Sequence, residues 1–205
     1  MKSREHWERV HRHIAPAELS WFQREPTGSL DLIRRVAPDL DAPIIDVGGG
    51  ASTLVDVLLD SGYSDLTVLD VSIGALRLAR ERLGERAASV RWIAGDVRAI
   101  PIVSGTYAVW HDRAVFHFLT DPHDRVAYVD SVRAVVRPGG RVIVASFALD
   151  GPTRCSGLPV VRYSCESMYH ELGATFRLLD DVREVHHTPK GATQPFVYCL
   201  WRLDT

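Results

Sequence analysis

Hydrophobic positions recur along this chain with two different periods. Trp7, Val10, His11 and Ile14 fall at i, i+3, i+4 and i+7, which predicts an amphipathic helix, and Leu32, Ile33 and Val36 predict a second one beginning near Ser29. Short apolar runs then follow at 44–47, 66–69, 90–94 and 107–111, each of strand length and each bounded by turn residues. Between them, Leu54, Val55, Leu58 and Leu59 mark the inner face of a helix stopped by Gly62. A further helix over 73–83 is stopped by Gly84. The segment 122–136 has the strongest start signal, with Asp121 as N-cap, Pro122 at the first helical position and Asp124 in the first turn. Its Val126, Val129, Val132 and Val136 are expected to face inward. A fifth strand is predicted over 141–149 and a short helix over 166–172. Two final strands, 176–187 and 196–201, are joined by a loop short enough to make them antiparallel. Strands alternating with helices imply an α/β doubly wound, mostly parallel sheet covered on both faces.

The strand tips carry the candidate chemistry. Ile44-Ile45-Asp46-Val47-Gly48-Gly49-Gly50 runs from an apolar strand through an acid into three glycines before the next helix. Glycine lets backbone N–H groups pass close to a ligand and tolerates φ > 0, while the helix start that follows favours an anionic or strongly polar ligand group. The second strand also ends on an acid, Asp70, 20 residues after Gly50, where a carboxylate can meet two ribose hydroxyls. The third ends in Gly95-Asp96, a place for a carboxylate that accepts from an exocyclic amine.

Taken in order, the Asp46-x-Gly48-x-Gly50 loop, Asp70, Gly95-Asp96 and the Arg137-Pro138-Gly139-Gly140-Arg141-Val142 turn resemble the class I S-adenosylmethionine-dependent methyltransferases. The likeness runs over nearly the whole chain and is greatest to the small bacterial methyltransferase-domain subgroup. It implies a seven-stranded Rossmann-like sheet whose last strand inserts antiparallel. It also implies one domain over 1–205: N-terminal helices and a lid to residue 40, a cofactor-binding core over 41–150, and an acceptor loop and hairpin over 151–205. On matching positions, Asp46 and the backbone of Gly48, Gly49 and Gly50 would line the methionine part of S-adenosylmethionine, and Asp70 would take the ribose hydroxyls. Val71 and Ile73 would flank the adenine, and Asp96 with the Val97 amide would read its edge. Ser52 and Thr53 at the helix start, with Trp21, His111 and Arg113, complete the implied set. A nicotinamide-dependent dehydrogenase also pairs a glycine loop with a later acid, but this loop reads G-x-G-x-S and lacks the third glycine of G-x-G-x-x-G. The chain departs from the methyltransferase pattern at Ala108, where an Asp usually stands.

The fourth strand tip is the most individual stretch. Trp110, His111, Asp112, Arg113 and His117 crowd the place where the sulfonium should sit. His111 or His117 could remove an acceptor proton near neutral pH, and Asp112 could orient a histidine, which makes these three the candidate catalytic residues. A core position for His117 between Phe116 and Phe118, and a local ion pair for Asp112 with Arg113, are the plainer alternatives. Trp21 and Phe22 lie in a segment that resembles the lid of related bacterial enzymes, and packing of the first helix onto the sheet is an equal expectation for Trp21. Cys155 lies in a loop after the fifth strand, where the family makes acceptor contacts. His186-His187 falls in a strand, so only one of the two can face the site and a metal pair is not expected.

Composition narrows the class. With 205 residues, 46% of them hydrophobic, the chain can bury a substantial core. Its 24 basic and 26 acidic residues, without a Lys/Arg-rich run, lack the footprint of a nucleic-acid binder. No apolar run has the length of a membrane span and the polar start lacks a signal peptide's apolar centre, so a soluble cytoplasmic protein is expected, with no nucleic acid or membrane partner. Three cysteines, Cys155, Cys165 and Cys199, without C-x-x-C spacing indicate neither a disulfide framework nor a structural zinc site, and no metal is expected. The resemblance implies methyl transfer to a small-molecule acceptor. Transfer to a protein lysine is the alternative, and a domain that binds the cofactor without transfer is the second alternative. The oligomeric state is open.

Overall fold

The computed structural model describes residues 2–100 and 104–204. Two helices, α1 (Lys2–His13) and α2 (Thr27–Val36), precede the first strand β1 (Ile44–Val47). The chain then alternates through α3 (Leu54–Asp60), β2 (Leu66–Asp70), α4 (Ile73–Leu83), β3 (Val90–Ala94), β4 (Tyr107–Arg113), α5 (Pro122–Val135) and β5 (Val136–Phe147). A miniature hairpin of β6 (Arg154–Cys155) and β7 (Leu158–Pro159), the short helix α6 (Cys165–Leu172) and the long strands β8 (Phe176–His187) and β9 (Thr193–Leu203) complete it. Caps fix several of these boundaries. Ser72 accepts from the Ala75 N–H at the head of α4, Asp121 accepts from the His123 N–H at the head of α5, and a Ser164/Ser167 capping box opens α6.

The main sheet has the order β3-β2-β1-β4-β5-β9-β8. The first five of these strands pair in parallel, and β9 runs antiparallel between β5 and β8. This is the Rossmann-like sheet with one reversed strand that the motif order implies. Because β2 and β4 lie on opposite sides of β1, the connections leave in opposite directions and open a crevice at the carboxyl ends of these strands.

Alternation along each strand divides the core in two. On one face Ile45, Trp110, Val142 and Trp201 pack against Val129 and Val132 of α5 and Met168 and Leu172 of α6. On the other, Ile44, Val109, Ile143 and Leu200 pack against Ile33 of α2, Leu54 and Leu58 of α3 and Leu76 of α4. Among the described residues, no helix is long and apolar enough to cross a membrane.

Two expectations need correction. Val126, expected to face inward, is 61% exposed, and the buried face of α5 is Tyr128, Val129, Val132 and Val135. Steps of three residues drift backward around a 3.6-residue helix, so a stripe drawn through Val132, Val129 and Val126 leaves the core at its last member. The cysteines also behave differently: Cys165 and Cys199 form a disulfide with Cα atoms 5.7 Å apart, and Cys155 is free and buried. Packing of α6 across the inner face of β9 carries Cys165 over Cys199, an approach that a separation of 34 residues conceals.

Candidate active site

The carboxyl ends of β1, β2, β3 and β4 floor a cavity roofed by α1 and the segment 16–26. Of the residues expected at a nucleoside site, Asp46, Gly48, Gly49 and Ser52 lie on its wall, as do Asp70, Val71, Asp96 and Val97. Trp21, His111 and Arg113 join them. Gly50, Thr53, Ile73, Asp112 and His117 do not line it.

The glycine loop leaves room for nothing but backbone. Gly48 adopts φ 68°, and a Cβ there would strike Val115. A Cβ on Gly49 would collide with the Asp46 carboxylate and one on Gly50 with that of Asp70. Gly50, though off the wall, thus lets Asp70 close against the loop. Thr53 also acts from behind the wall, donating from its hydroxyl to the Gln23 carbonyl at 2.8 Å and so tying the roof to the head of α3. Ile73 is 58% exposed, and its N–H donates to Glu8 of α1 at 2.7 Å; the Gly74 N–H donates to the same carboxylate at 3.2 Å.

Three buried carboxylates sit in different circumstances. Asp46 Oδ1 is 2.7 Å from His111 Nδ1, and His111 Nε2 is 2.9 Å from the Ser29 hydroxyl of α2. Asp46 Oδ2 is buried and has no hydrogen-bond partner among the described residues. Asp70 accepts the Ser72 N–H at 2.8 Å, and burial pushes its pKa up to about 7, helped by the negative charges of Asp46 and Glu8. Asp112 accepts the N–H groups of Val115 at 2.8 Å and Phe116 at 3.0 Å and the Tyr128 hydroxyl at 2.7 Å. That carboxylate, 0% exposed, holds the turn after β4 rather than facing the cavity.

The histidines divide likewise. Both ring nitrogens of His111 are engaged, so it steadies Asp46 and has no nitrogen open to an acceptor. His117 is fully buried between Phe118 and Phe147, and burial pushes its pKa down to about 3. It is a neutral core residue, the plainer of its two expected roles. Of the His186-His187 pair, His186 is buried and bonds the Ser20 carbonyl at 2.8 Å, while His187 is exposed.

Arg113 organises the roof. It donates to the Tyr198 hydroxyl at 2.8 Å and the Trp21 carbonyl at 3.1 Å, with its guanidinium 4.2 Å from the Phe196 ring centroid. Asp96 is clasped by Arg98, which also reaches Asp124 at 2.5 Å, and these contacts lower the Asp96 pKa. Cys155 lines the cavity as expected of the loop after β5, a thiol that burial pushes up to about 11.

Several wall residues were not foreseen. Trp7 and His11 of α1 face the cavity, although their spacing reads equally as a helix face turned to the sheet. Ser29, Arg98 and Phe118 also line it. Arg98 and Phe118 are signalled only by adjacency to a motif, two places after Asp96 and one after His117, and Ser29 by nothing beyond its place at the start of a predicted helix.

Residues 44–140 match the family described as a methyltransferase domain. The ubiquinone/menaquinone biosynthesis C-methyltransferase UbiE of Methylobacterium nodulans is 30% identical over 122 residues, which are 57% of this chain and 47% of that protein. The mouse eEF1A lysine and N-terminal methyltransferase is 24% identical over 152 residues, 71% of this chain and 22% of that protein. The chain spans about half the length of the UbiE relatives it matches, from 47% to 50% of the first three. Among solved structures, the 1,6-didemethyltoxoflavin-N1-methyltransferase of Burkholderia thailandensis, determined with 1,6-didemethyltoxoflavin and S-adenosylhomocysteine, superposes with a TM-score of 0.74 at 19% identity. The match covers 99% of this chain and 88% of that one. In its sheet order, glycine loop and strand-tip acids, this chain resembles the class I S-adenosylmethionine-dependent methyltransferases, and its residues 44–140 are similar to their methyltransferase domain.

Proposed function

We propose that this chain transfers a methyl group from S-adenosylmethionine to a small organic molecule. The observation that carries the reading is Asp46 Oδ2, a buried carboxylate oxygen left without a partner beside a glycine cradle that any side chain would fill. An unmatched buried acceptor is costly, and an ammonium group such as the methionyl amine satisfies it. Asp70 stands one strand over, at the distance along the chain that suits a ribose, and Val71 and Val97 offer apolar contact for a base.

S-adenosylmethionine supplies a methyl group already activated by its sulfonium, so the protein's task is alignment and exclusion of water. Asp46, fixed by His111, holds the amino-acid end; the roof, fixed by Arg113 and Thr53, closes the top. The enclosing roof and its aromatic residues favour a small acceptor over a protein side chain. UbiE-type relatives, named for C-methylation in quinone biosynthesis, support the same class of substrate.

Calorimetry with S-adenosylhomocysteine tests the cofactor site. Asp70→Ala is expected to weaken binding by about 2 kcal/mol in a protein that remains folded. Undiminished affinity in that variant rejects the ribose assignment, and tighter binding of NAD by the wild type restores the dehydrogenase.

A further inference from the structure

The cavity has two walls of different chemistry. Strand tips supply Asp46, Asp70 and Asp96 on one side. On the other, α1 presents Trp7 and His11 one turn apart, the roof adds Trp21, and the turn after β4 adds Phe118. Trp7 lies edge-on to Trp21 at 5.6 Å and to Phe118 at 5.0 Å, and the His11 ring centroid is 6.4 Å from that of Trp21. Such a group of ring edges and faces receives a flat ring by the same geometry in which its members meet.

His11 is the odd member. Its Nδ1 is enclosed and has no hydrogen-bond partner among the described residues. Burial lowers its pKa, with Glu8 acting in the opposite direction, so the ring is neutral at neutral pH and carries a free lone pair. The charged groups nearby are already engaged. Glu8 holds the N–H groups at the head of α4, and Arg113 is bonded to Tyr198 and Trp21. An aromatic wall with one unpaired lone pair and a guanidinium close by suits an uncharged guest better than an ammonium.

On the proposed methyl transfer, we infer that this wall is the acceptor site, that it takes a flat, uncharged aromatic bearing a hydroxyl or N–H group, and that His11 is its proton acceptor. The acceptor's oxygen or nitrogen keeps the electron pair of its bond to hydrogen and uses a lone pair to bond the methyl carbon. The pair that joined that carbon to the sulfonium sulfur departs to sulfur. The proton rests on His11 Nδ1 and leaves to water with the product.

Binding tests this without turnover. The full chain, saturated with S-adenosylhomocysteine, is titrated with phenol, toluene and butylammonium, following tryptophan fluorescence and heat. Phenol is expected to bind more tightly than toluene or butylammonium. His11→Phe, which keeps a ring and removes the nitrogen, should weaken phenol at least ten-fold while leaving toluene and S-adenosylhomocysteine within two-fold. His11→Gln, whose amide oxygen can accept, should recover part of the loss. Equal losses for phenol and toluene, unchanged phenol affinity in His11→Phe, or tighter binding of butylammonium than of phenol by the wild type would each overturn the inference. Failure of wild-type protein to bind S-adenosylhomocysteine strikes instead at the methyltransferase reading, so the two failures are separable.

Discussion

Asp70 carries a carboxylate where burial disfavours its charge, and this makes it the residue most sensitive to pH in the cofactor site. Its folded pKa of about 7 lies above the ordinary 3.8, so between those values the folded protein holds a proton that the unfolded chain has released. On this group's account, stability is greatest below that window and declines as pH rises through it. A ligand whose hydroxyls donate to the ionised carboxylate has the reverse dependence. S-adenosylhomocysteine affinity is therefore expected to rise on the order of ten-fold between pH 6 and pH 8, and the rise should vanish in Asp70→Asn. A calorimetric series across that range decides it; a flat wild-type profile would send the ribose to another partner. At this scale the sequence was legible where position along a strand fixes direction, as at Asp46 and Asp70. It was not legible at His117: after β4 the chain turns inward, and no periodicity tells which side chains follow it into the core. Asp112, by contrast, lies within β4, where alternation sets it opposite His111 and Arg113.

Elements were read more securely than single residues because their signals are cooperative. Gly62, Gly84, Asp121 and Pro122 bound their helices where expected, and the closing pair of strands is antiparallel as so short a loop requires. What the pattern could not show is what covers an apolar stripe. The Trp7/His11 face of α1 has the spacing of a sheet-packing helix, and it roofs a cavity instead. The roof itself is pinned through three carbonyls: Ser20 by His186, Trp21 by Arg113 and Gln23 by Thr53. Removing the central pin should loosen the segment before the sheet. Arg113→Ala is expected to raise amide exchange across residues 19–24 by about ten-fold or more, as losing charged hydrogen bonds of about 1.5–3 kcal/mol implies, with β1 and β4 unchanged. Exchange mass spectrometry reads this directly, and equal protection in variant and wild type would mean that Arg113 does not hold the roof.

Across the whole molecule, the Cys165–Cys199 bridge ties α6 to the strand that runs antiparallel in the sheet. In the loop-closure account, a bridge spanning 34 residues is worth about 3–4 kcal/mol. Cys165→Ala should therefore lower the unfolding free energy by about that amount while leaving S-adenosylhomocysteine affinity unchanged. Denatured without reductant, the chain should show one thiol, Cys155, and three after reduction. Three thiols before reduction would remove the bridge from the account. The contact was hidden in the sequence because disulfides depend on tertiary approach, which neither cysteine count nor spacing reports.

The grip of Glu8 on the head of α4 has a kinetic consequence. On the proposed methyl transfer, α1, whose Glu8 holds the head of α4, also carries Trp7 and His11, so a nucleoside exchange that required α1 to lift would part both walls at the same moment. Steady-state turnover should then follow a compulsory order, with the nucleoside first on and last off. Initial-rate measurements would show S-adenosylhomocysteine competitive towards S-adenosylmethionine and noncompetitive towards the second substrate. Glu8→Gln, by weakening the latch, should speed product release and relax that order towards random.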